Sequence, residues 1–207
     1  MEWKGFEALK AYVEERLEEF HHIPQTRKSV LDDLACDIRT GVERDASVPV
    51  IFICTHNSRR SHMGQLWAQL AAGHFGVNRI LCYSGGTEAT AFNPLAVRAM
   101  EEAGFRISIQ EPGPNPVYRV QFPGAAGEIR AFSKKFTDPP NPTERFIAVL
   151  TCSDADEACP VVPGAASRHT IRYDDPRVFD GTPDEKEGYT RRSRQISREM
   201  LFLFSRI

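Results

Sequence analysis

No apolar run in this chain is long enough to cross a bilayer: the longest, residues 50–54 and 146–150, fall far short of the ~20 residues a spanning helix needs. The opening stretch, MEWKGFEALKAYVEERLEEF, is acidic and amphipathic and has no apolar centre followed by a cleavage site, so it does not read as a secretory leader. Both absences point to a cytoplasmic protein without a membrane partner. A dominant charge is also missing. With 26 Lys and Arg against 28 Asp and Glu the formal net charge is -2, which leaves no overall basic field for nucleic acid and makes any anion site a local one. Closely spaced cysteine pairs are absent too. Of Cys36, Cys54, Cys82, Cys152 and Cys159, the nearest two have six residues between them, which disfavours a zinc site. A reducing compartment disfavours a structural disulfide framework. No metal or cofactor is expected.

What is present suits a single globular domain with room for an extension and an insertion, since 207 residues and 41% hydrophobic content can bury a proper core. Phe6, Leu9, Val13, Leu17 and Phe20 recur at helical spacing, as do Leu31, Leu34, Ala35 and Ile38, so residues 1–46 are expected to form a helical extension broken near Pro24. A hydrophobic strand over 48–54 leads through a short polar loop into a helix with Met63, Leu66, Trp67, Leu70 and Ala71 on one face, ended by Gly73 and Gly76. A strand at 80–84 and a helix opened by Asn93-Pro94 and ended by Gly104 complete a β-α-β-α order. Right-handed crossovers make such a sheet parallel and gather the loops after its strands on one edge, where ligands bind. Seven prolines punctuate residues 111–145 around strand-like runs at 117–122 and 129–136, which suggests an inserted β-hairpin. Further strands are expected at 146–152 and 169–173, and a final amphipathic helix through Ile196, Met200, Leu203 and Phe204. The main domain is thus expected over 47–207.

The segment Cys54-Thr55-His56-Asn57-Ser58-Arg59-Arg60-Ser61 joins the first strand to the helix. A loop entering a helix N-terminus offers unpaired N–H groups and the positive end of the dipole, a concave site for a tetrahedral oxyanion. Arg60, at its far end, can hold two oxygens at once with its planar fork. The same field favours thiolate over thiol, so Cys54 is expected to be a nucleophile. Ser61 can donate a hydrogen bond to that sulfur, and Asn57 can brace the loop from within.

With these residues the chain resembles the low-molecular-weight protein tyrosine phosphatases and the thioredoxin-coupled arsenate reductases. Ser84-Gly85-Gly86-Thr87 and Asp175-Pro176 fit the same pattern in the expected order, from about Val48 to the C-terminus and excluding the hairpin. The resemblance implies an α/β, three-layer fold with a four-stranded parallel sheet. It implies an arsenate or phosphate oxyanion held by Thr55, His56, Asn57, Ser58, Arg59, Arg60 and Ser61, with Cys54 as nucleophile and Asp175 as acid. Asp174 is the fallback acid if the register slips by one.

A second segment bears on which reaction is run. Cys152-Ser153-Asp154-Ala155-Asp156-Glu157-Ala158-Cys159-Pro160 follows a buried strand. Hydrolysing a phosphoester takes one thiolate and a water, whereas reducing arsenate takes two electrons, which a dithiol gives up on becoming a disulfide. This segment is similar to the redox loop of the thioredoxin-coupled reductases. The resemblance implies that Cys54 attacks arsenate, Cys152 releases arsenite from the adduct, and Cys159 takes over the disulfide, which thioredoxin reduces. The alternative is a phosphatase using Cys54 and Asp175, with the other cysteines protecting Cys54 from overoxidation. A redox-responsive binding protein is a third reading.

Cys36, read as lying on an apolar helical face, and Cys82, inside a strand, are assigned no role. Two features depart from the family pattern. His56 and Arg59 stand where some members have glycine and cysteine. Gln65 stands where certain reductases use a glutamate to help hold potassium, so potassium dependence is not carried over. The helical extension and the hairpin lie outside the minimal fold and could cover the sheet, narrow the cleft or dimerise the protein; the oligomeric state stays open.

Overall fold

A computed structural model of the chain describes residues 1–44, 47–123, 128–152, 155 and 161–207. Helices α1 (Glu7–Glu18) and α2 (Gln25–Arg44) come first, separated by a 3-10 turn at Glu19–His22. Strand β1 (Val48–Cys54), helix α3 (Arg60–His74), strand β2 (Ile80–Gly86) and helix α4 (Pro94–Glu102) follow. Strands β3 (Arg106–Glu111), β4 (Val117–Gln121) and β5 (Ile129–Ala131) precede β6 (Phe146–Leu150), β7 (Ala165–Thr170) and the final helix α5 (Glu185–Phe204).

The main sheet has four strands in the order β2-β1-β6-β7, and all three pairings are parallel. Alternation along β1 sends Val48, Val50 and Phe52 into the large helical core, while Ile51 and Ile53 enter a smaller cluster with Phe146, Ala148 and Leu150. Strands buried on both faces read as continuous hydrophobic runs, which is why β1 and β6 stood out in the sequence. Because β1 is flanked by β2 on one side and β6 on the other, the chain reverses its winding direction there. A crevice opens at such a point, outside the strand ends.

Helix α3 packs against β1 at contact distance. A Cβ at Gly64 would lie 2.6 Å from the Phe52 ring, so this position admits the strand only without a side chain. Almost all of α3 is buried, well beyond the single apolar face the sequence suggested, because α5 and β2 enclose its other sides. Trp67, fully buried, donates from Nε1 to Ser193 Oγ on α5 at 3.0 Å. Gly73 lies inside the helix, and the chain turns away only at Gly76, with φ +74°.

The N-terminal helices extend this helical layer. Leu9 and Val13 on α1 and Leu31, Leu34, Ala35 and Ile38 on α2 share one core with β1, α3 and α5. Buried Glu19 receives Arg16, Arg194 and Arg198, and Arg27 donates to Glu199 at 2.8 Å, so ion pairs tie the extension to α5. Cys36 is exposed, contrary to expectation, because it sits about 200° around the helix from Leu34, away from the face that Leu31, Leu34 and Ile38 define.

Two further boundaries differ from the sequence reading. Strand β7 begins at Ala165 and ends at Thr170, earlier than the run read at 169–173. Strands β4 and β5 do form an antiparallel hairpin, but β3 joins them as a third strand. Only Ile129–Ala131 of the run at 129–136 is strand, since residues 133–136 leave the small sheet to bond elsewhere.

Candidate active site

The loop between β1 and α3 keeps its shape by fixing its carbonyl groups on the outside. Thr87 N donates to Cys54 O at 3.1 Å, Glu88 N to Thr55 O at 2.8 Å and Asn93 N to Ser58 O at 2.9 Å. His56 O accepts from Ser133 Oγ at 2.9 Å and Thr90 Oγ1 at 3.2 Å. The N–H groups of residues 55–59 find no acceptor among the described residues, and together with the first turn of α3 they make donors available to an oxyanion. Gly86 permits this closeness: a Cβ there would stand 2.6 Å from Thr55 O and 2.7 Å from Asn57 N.

Asn57 adopts φ +44°, the left-handed region that asparagine tolerates better than most side chains. It is fully buried and works in two directions. Its Nδ2 donates to Ser61 Oγ at 2.9 Å, and its Oδ1 accepts from Lys134 N at 3.0 Å. Having accepted from Asn57, the Ser61 hydroxyl has its own proton to give to Cys54 Sγ, 3.0 Å away. Cys54 is 4% exposed, and the Ser61 hydroxyl stands beside its sulfur.

Arg60, the first residue of α3, is directed across the loop. Its Nη1 donates to Tyr173 O at 3.0 Å and its Nη2 to Asp175 Oδ2 at 2.7 Å, while its buried Nε has no partner among the described residues. Asp175 caps the 3-10 turn Pro176–Phe179 by accepting from Arg177 N at 3.1 Å through Oδ1. Asp174 is directed elsewhere: its exposed carboxylate pairs with Arg192 at 3.1 Å. The neighbouring Arg59 does not point its fork into the loop. Nε donates to Tyr189 Oη at 2.7 Å and Nη2 to Asp180 Oδ2 at 3.2 Å, so what Arg59 offers an anion is its backbone. His56 is partly exposed, 3.7 Å from Glu88.

Cys152 stands two residues beyond β6, on the strand next to β1. The ladder continues one step past β6, with Thr151 N donating to Ile53 O at 2.8 Å, and this brings the two strand ends level. Cys152 is 1% exposed and packs in the same cluster as Cys54. Its sulfur lies 3.5 Å from Thr55 Oγ1 and accepts from Ala155 N at 3.4 Å. Cys159 lies outside the described residues. The structure therefore brings together Cys54, Thr55, Asn57, Arg60, Ser61, Cys152 and Asp175, and it leaves Cys36 and Cys82 apart.

Several supports escaped the sequence reading. Ser133 and Lys134 come from the segment read as strand, and their departure from the small sheet is what braces His56 and Asn57. Lys134 is buried, with Nζ donating to Phe132 O at 3.3 Å, and burial pushes its ammonium down to about 8. Fully buried His62 stacks on Phe92 at 4.1 Å; burial first, and Lys134 second, hold it well below the usual histidine range, so it is neutral. Gln65 donates to Cys82 O at 3.1 Å, and its buried Oε1 has no partner among the described residues. The Ser-Lys pair inside an otherwise apolar alternation was the one signal available.

No family model matches the chain. An arsenate reductase from Bacillus licheniformis is 31% identical over 156 residues, covering 75% of this chain and 94% of the relative. An arsenate reductase from Bacillus subtilis is 31% identical over 145 residues, covering 70% and 86%. Among solved structures, a low-molecular-weight phosphotyrosine phosphatase from Vibrio cholerae aligns with a TM-score of 0.51 at 15% identity, over 77% of this chain and 95% of that one. A low-molecular-weight protein tyrosine phosphatase from Bacillus subtilis aligns with a TM-score of 0.52 at 16% identity, over 77% and 96%. The structural likeness establishes the fold and the sequence likeness the kinship: the chain belongs to the arsenate reductase family built on the low-molecular-weight protein tyrosine phosphatase fold.

Proposed function

We propose that this enzyme reduces arsenate to arsenite through Cys54, Cys152 and Cys159 in series, with thioredoxin as the recycling reductant in the cytoplasm. The observation that carries the reading is the placement of Cys152 Sγ 3.5 Å from the hydroxyl of Thr55, the residue next to Cys54. Hydrolysis of a phosphoester does not itself consume a second thiol, whereas reduction of arsenate does.

In this scheme the loop amides and Arg60 hold arsenate while the Cys54 thiolate, with Ser61 beside it, attacks arsenic. One arsenate oxygen leaves as water, protonated by Asp175, as the sulfur–arsenic bond forms. The Cys152 thiolate then attacks the Cys54 sulfur. The sulfur–arsenic bond breaks, its electron pair stays on arsenic, and arsenite departs as a Cys54–Cys152 disulfide forms. Two electrons have moved from two thiolates to arsenic. Cys159 attacks Cys152 and frees Cys54, and thioredoxin reduces the resulting Cys152–Cys159 bridge.

The fold and the Asp175–Arg60 contact also favour a second reading, hydrolysis of phosphomonoesters at the same Cys54. The discriminating experiment follows arsenate-dependent NADPH oxidation with thioredoxin and thioredoxin reductase, alongside p-nitrophenyl phosphate cleavage. The reductase reading expects multiple turnovers in wild type, none in Cys152→Ser, and aryl phosphate cleavage retained in that variant. Absence of arsenate turnover in a wild type that cleaves the aryl phosphate would transfer the assignment to phosphatase.

A further inference from the structure

Two adjacent arginines reach Asp175, and they are held very differently. Arg60 makes one side-chain contact with it, Nη2 to Oδ2 at 2.7 Å, and Arg60 is also the side chain best placed to grip an entering oxyanion. When its fork turns to the anion, Asp175 loses that partner. Arg59 remains. Its Nε lies 3.9 Å from Asp175 Oδ1, and the same guanidinium is fixed to α5 and to the far end of the acid-bearing turn. Nε donates to Tyr189 Oη at 2.7 Å, Nη2 to Asp180 Oδ2 at 3.2 Å, and Tyr189 Oη donates to Asp180 Oδ1 at 2.7 Å, closing a ring of three side chains. The turn 175–180 is thus pinned at both ends by one residue.

The surroundings make this a rigid mount. Tyr189 is 1% exposed, and burial with Asp180 alongside pushes its phenol up to about 12, so it keeps the proton it donates. Phe179, the last residue of the 3-10 turn, sits against Gly188 of α5, where a Cβ would collide with its ring. The Arg191 guanidinium covers that ring at 5.0 Å. The Asp175 carboxyl, at the start of the turn, is the end that meets Arg60.

We propose that Arg59, locked by Tyr189 and Asp180, is the positioning residue that keeps the Asp175 carboxyl over the leaving oxygen once Arg60 has turned to the anion. This rests on the reading of Asp175 as the acid. The step served is one proton transfer: as the bond from sulfur to phosphorus or arsenic forms and the bond to the leaving oxygen breaks, the carboxyl proton goes to that oxygen. Neighbouring arginines therefore divide the labour, one for the anion and one for the acid.

Leaving-group dependence reads this directly, because a poor leaving group needs the acid and a good one does not. Phenyl phosphate and 2,4-dinitrophenyl phosphate are compared in wild type, Asp175→Asn, Arg59→Met and Tyr189→Phe. General acid catalysis contributes ~100-fold or more. Arg59→Met is expected to lose about 100-fold in kcat on phenyl phosphate and less than about threefold on the dinitrophenyl ester, with Asp175→Asn giving the same pattern. Tyr189→Phe, which keeps the ring and its packing, is expected to discriminate in the same direction by about tenfold. Arg59→Lys should recover part of the loss. Equal losses on both esters in Arg59→Met and Tyr189→Phe, while Asp175→Asn still discriminates, would overturn the latch alone. Uniform behaviour in Asp175→Asn would overturn the reading of Asp175 as the acid and the latch with it.

Discussion

Cys54 and Cys82 sit on adjacent parallel strands, are 4% and 6% exposed, and belong to the same hydrophobic sheet, yet their sulfurs meet different surroundings. Cys82 pairs in register with Val50, in mid-strand, where burial pushes its thiol up and no charge or hydroxyl among the described residues offsets the cost. Cys54 is the last residue of its strand, 3.0 Å from a serine hydroxyl at the opening of a helix. Position along the strand, and not burial, separates the two settings: a strand end beside a hydroxyl for Cys54, a strand interior for Cys82.

The comparison breaks most sharply on deletion of each sulfur. Cys54→Ser is expected to lower arsenate reduction and aryl phosphate cleavage by at least about a thousandfold, as removal of an enzyme nucleophile does, while Cys82→Ala stays within about threefold in kcat/KM. Steady-state kinetics of both variants check this, and comparable losses would erase the distinction.

A smaller effect isolates the hydroxyl that Cys82 lacks. Ser61→Ala removes the donor 3.0 Å from Cys54, and a hydrogen bond to a charged group contributes about 1.5–3 kcal/mol. The expected loss in kcat/KM is therefore about ten- to a hundredfold. It should fall on the attack step, visible as a slower burst with little change in phosphate affinity by calorimetry. Weakened phosphate binding with an unchanged burst would place Ser61 in anion binding instead.

Lys134 extends the comparison to a buried cation that, like Cys82, is shifted by desolvation. Its folded-state value of about 8 lies below the ordinary 10.5, so between those two pH values the unfolded chain binds more protons than the native one and stability rises with pH. The rise due to this group is on the order of 3 kcal/mol, present above the window and lost below it. Urea unfolding at pH 7.5 and pH 10 should show wild type gaining relative to Lys134→Met. Parallel pH profiles in the two proteins would contradict the assignment.

The strand, loop and helix around Cys54 were legible because the hydrophobic period changes from continuous burial to 3.6 residues across eight polar positions, and the β2–α4 unit was legible through Asn93-Pro94. Asn93 does cap α4, accepting from Leu95 N at 2.8 Å. What stayed hidden were the contacts made across the chain. The carbonyls of His56 and Thr55 are satisfied by Ser133, Thr87 and Glu88, and Asn57 by Lys134, partners that no local spacing reveals. The side chain of Arg59 was equally invisible, since its partners Tyr189 and Asp180 lie more than a hundred residues away. Cys36 was misplaced because two turns of apolar residues on either side disguised its position on the outer face of α2.

If Cys54 and Cys152 act in series, a Cys159→Ser protein given one equivalent of arsenate and no reductant releases one arsenite per chain, and peptide mapping under non-reducing conditions finds a pair linked through Cys54 and Cys152. Arsenate left unreduced with both cysteines free, or a linkage that bypasses Cys54, would contradict that relay.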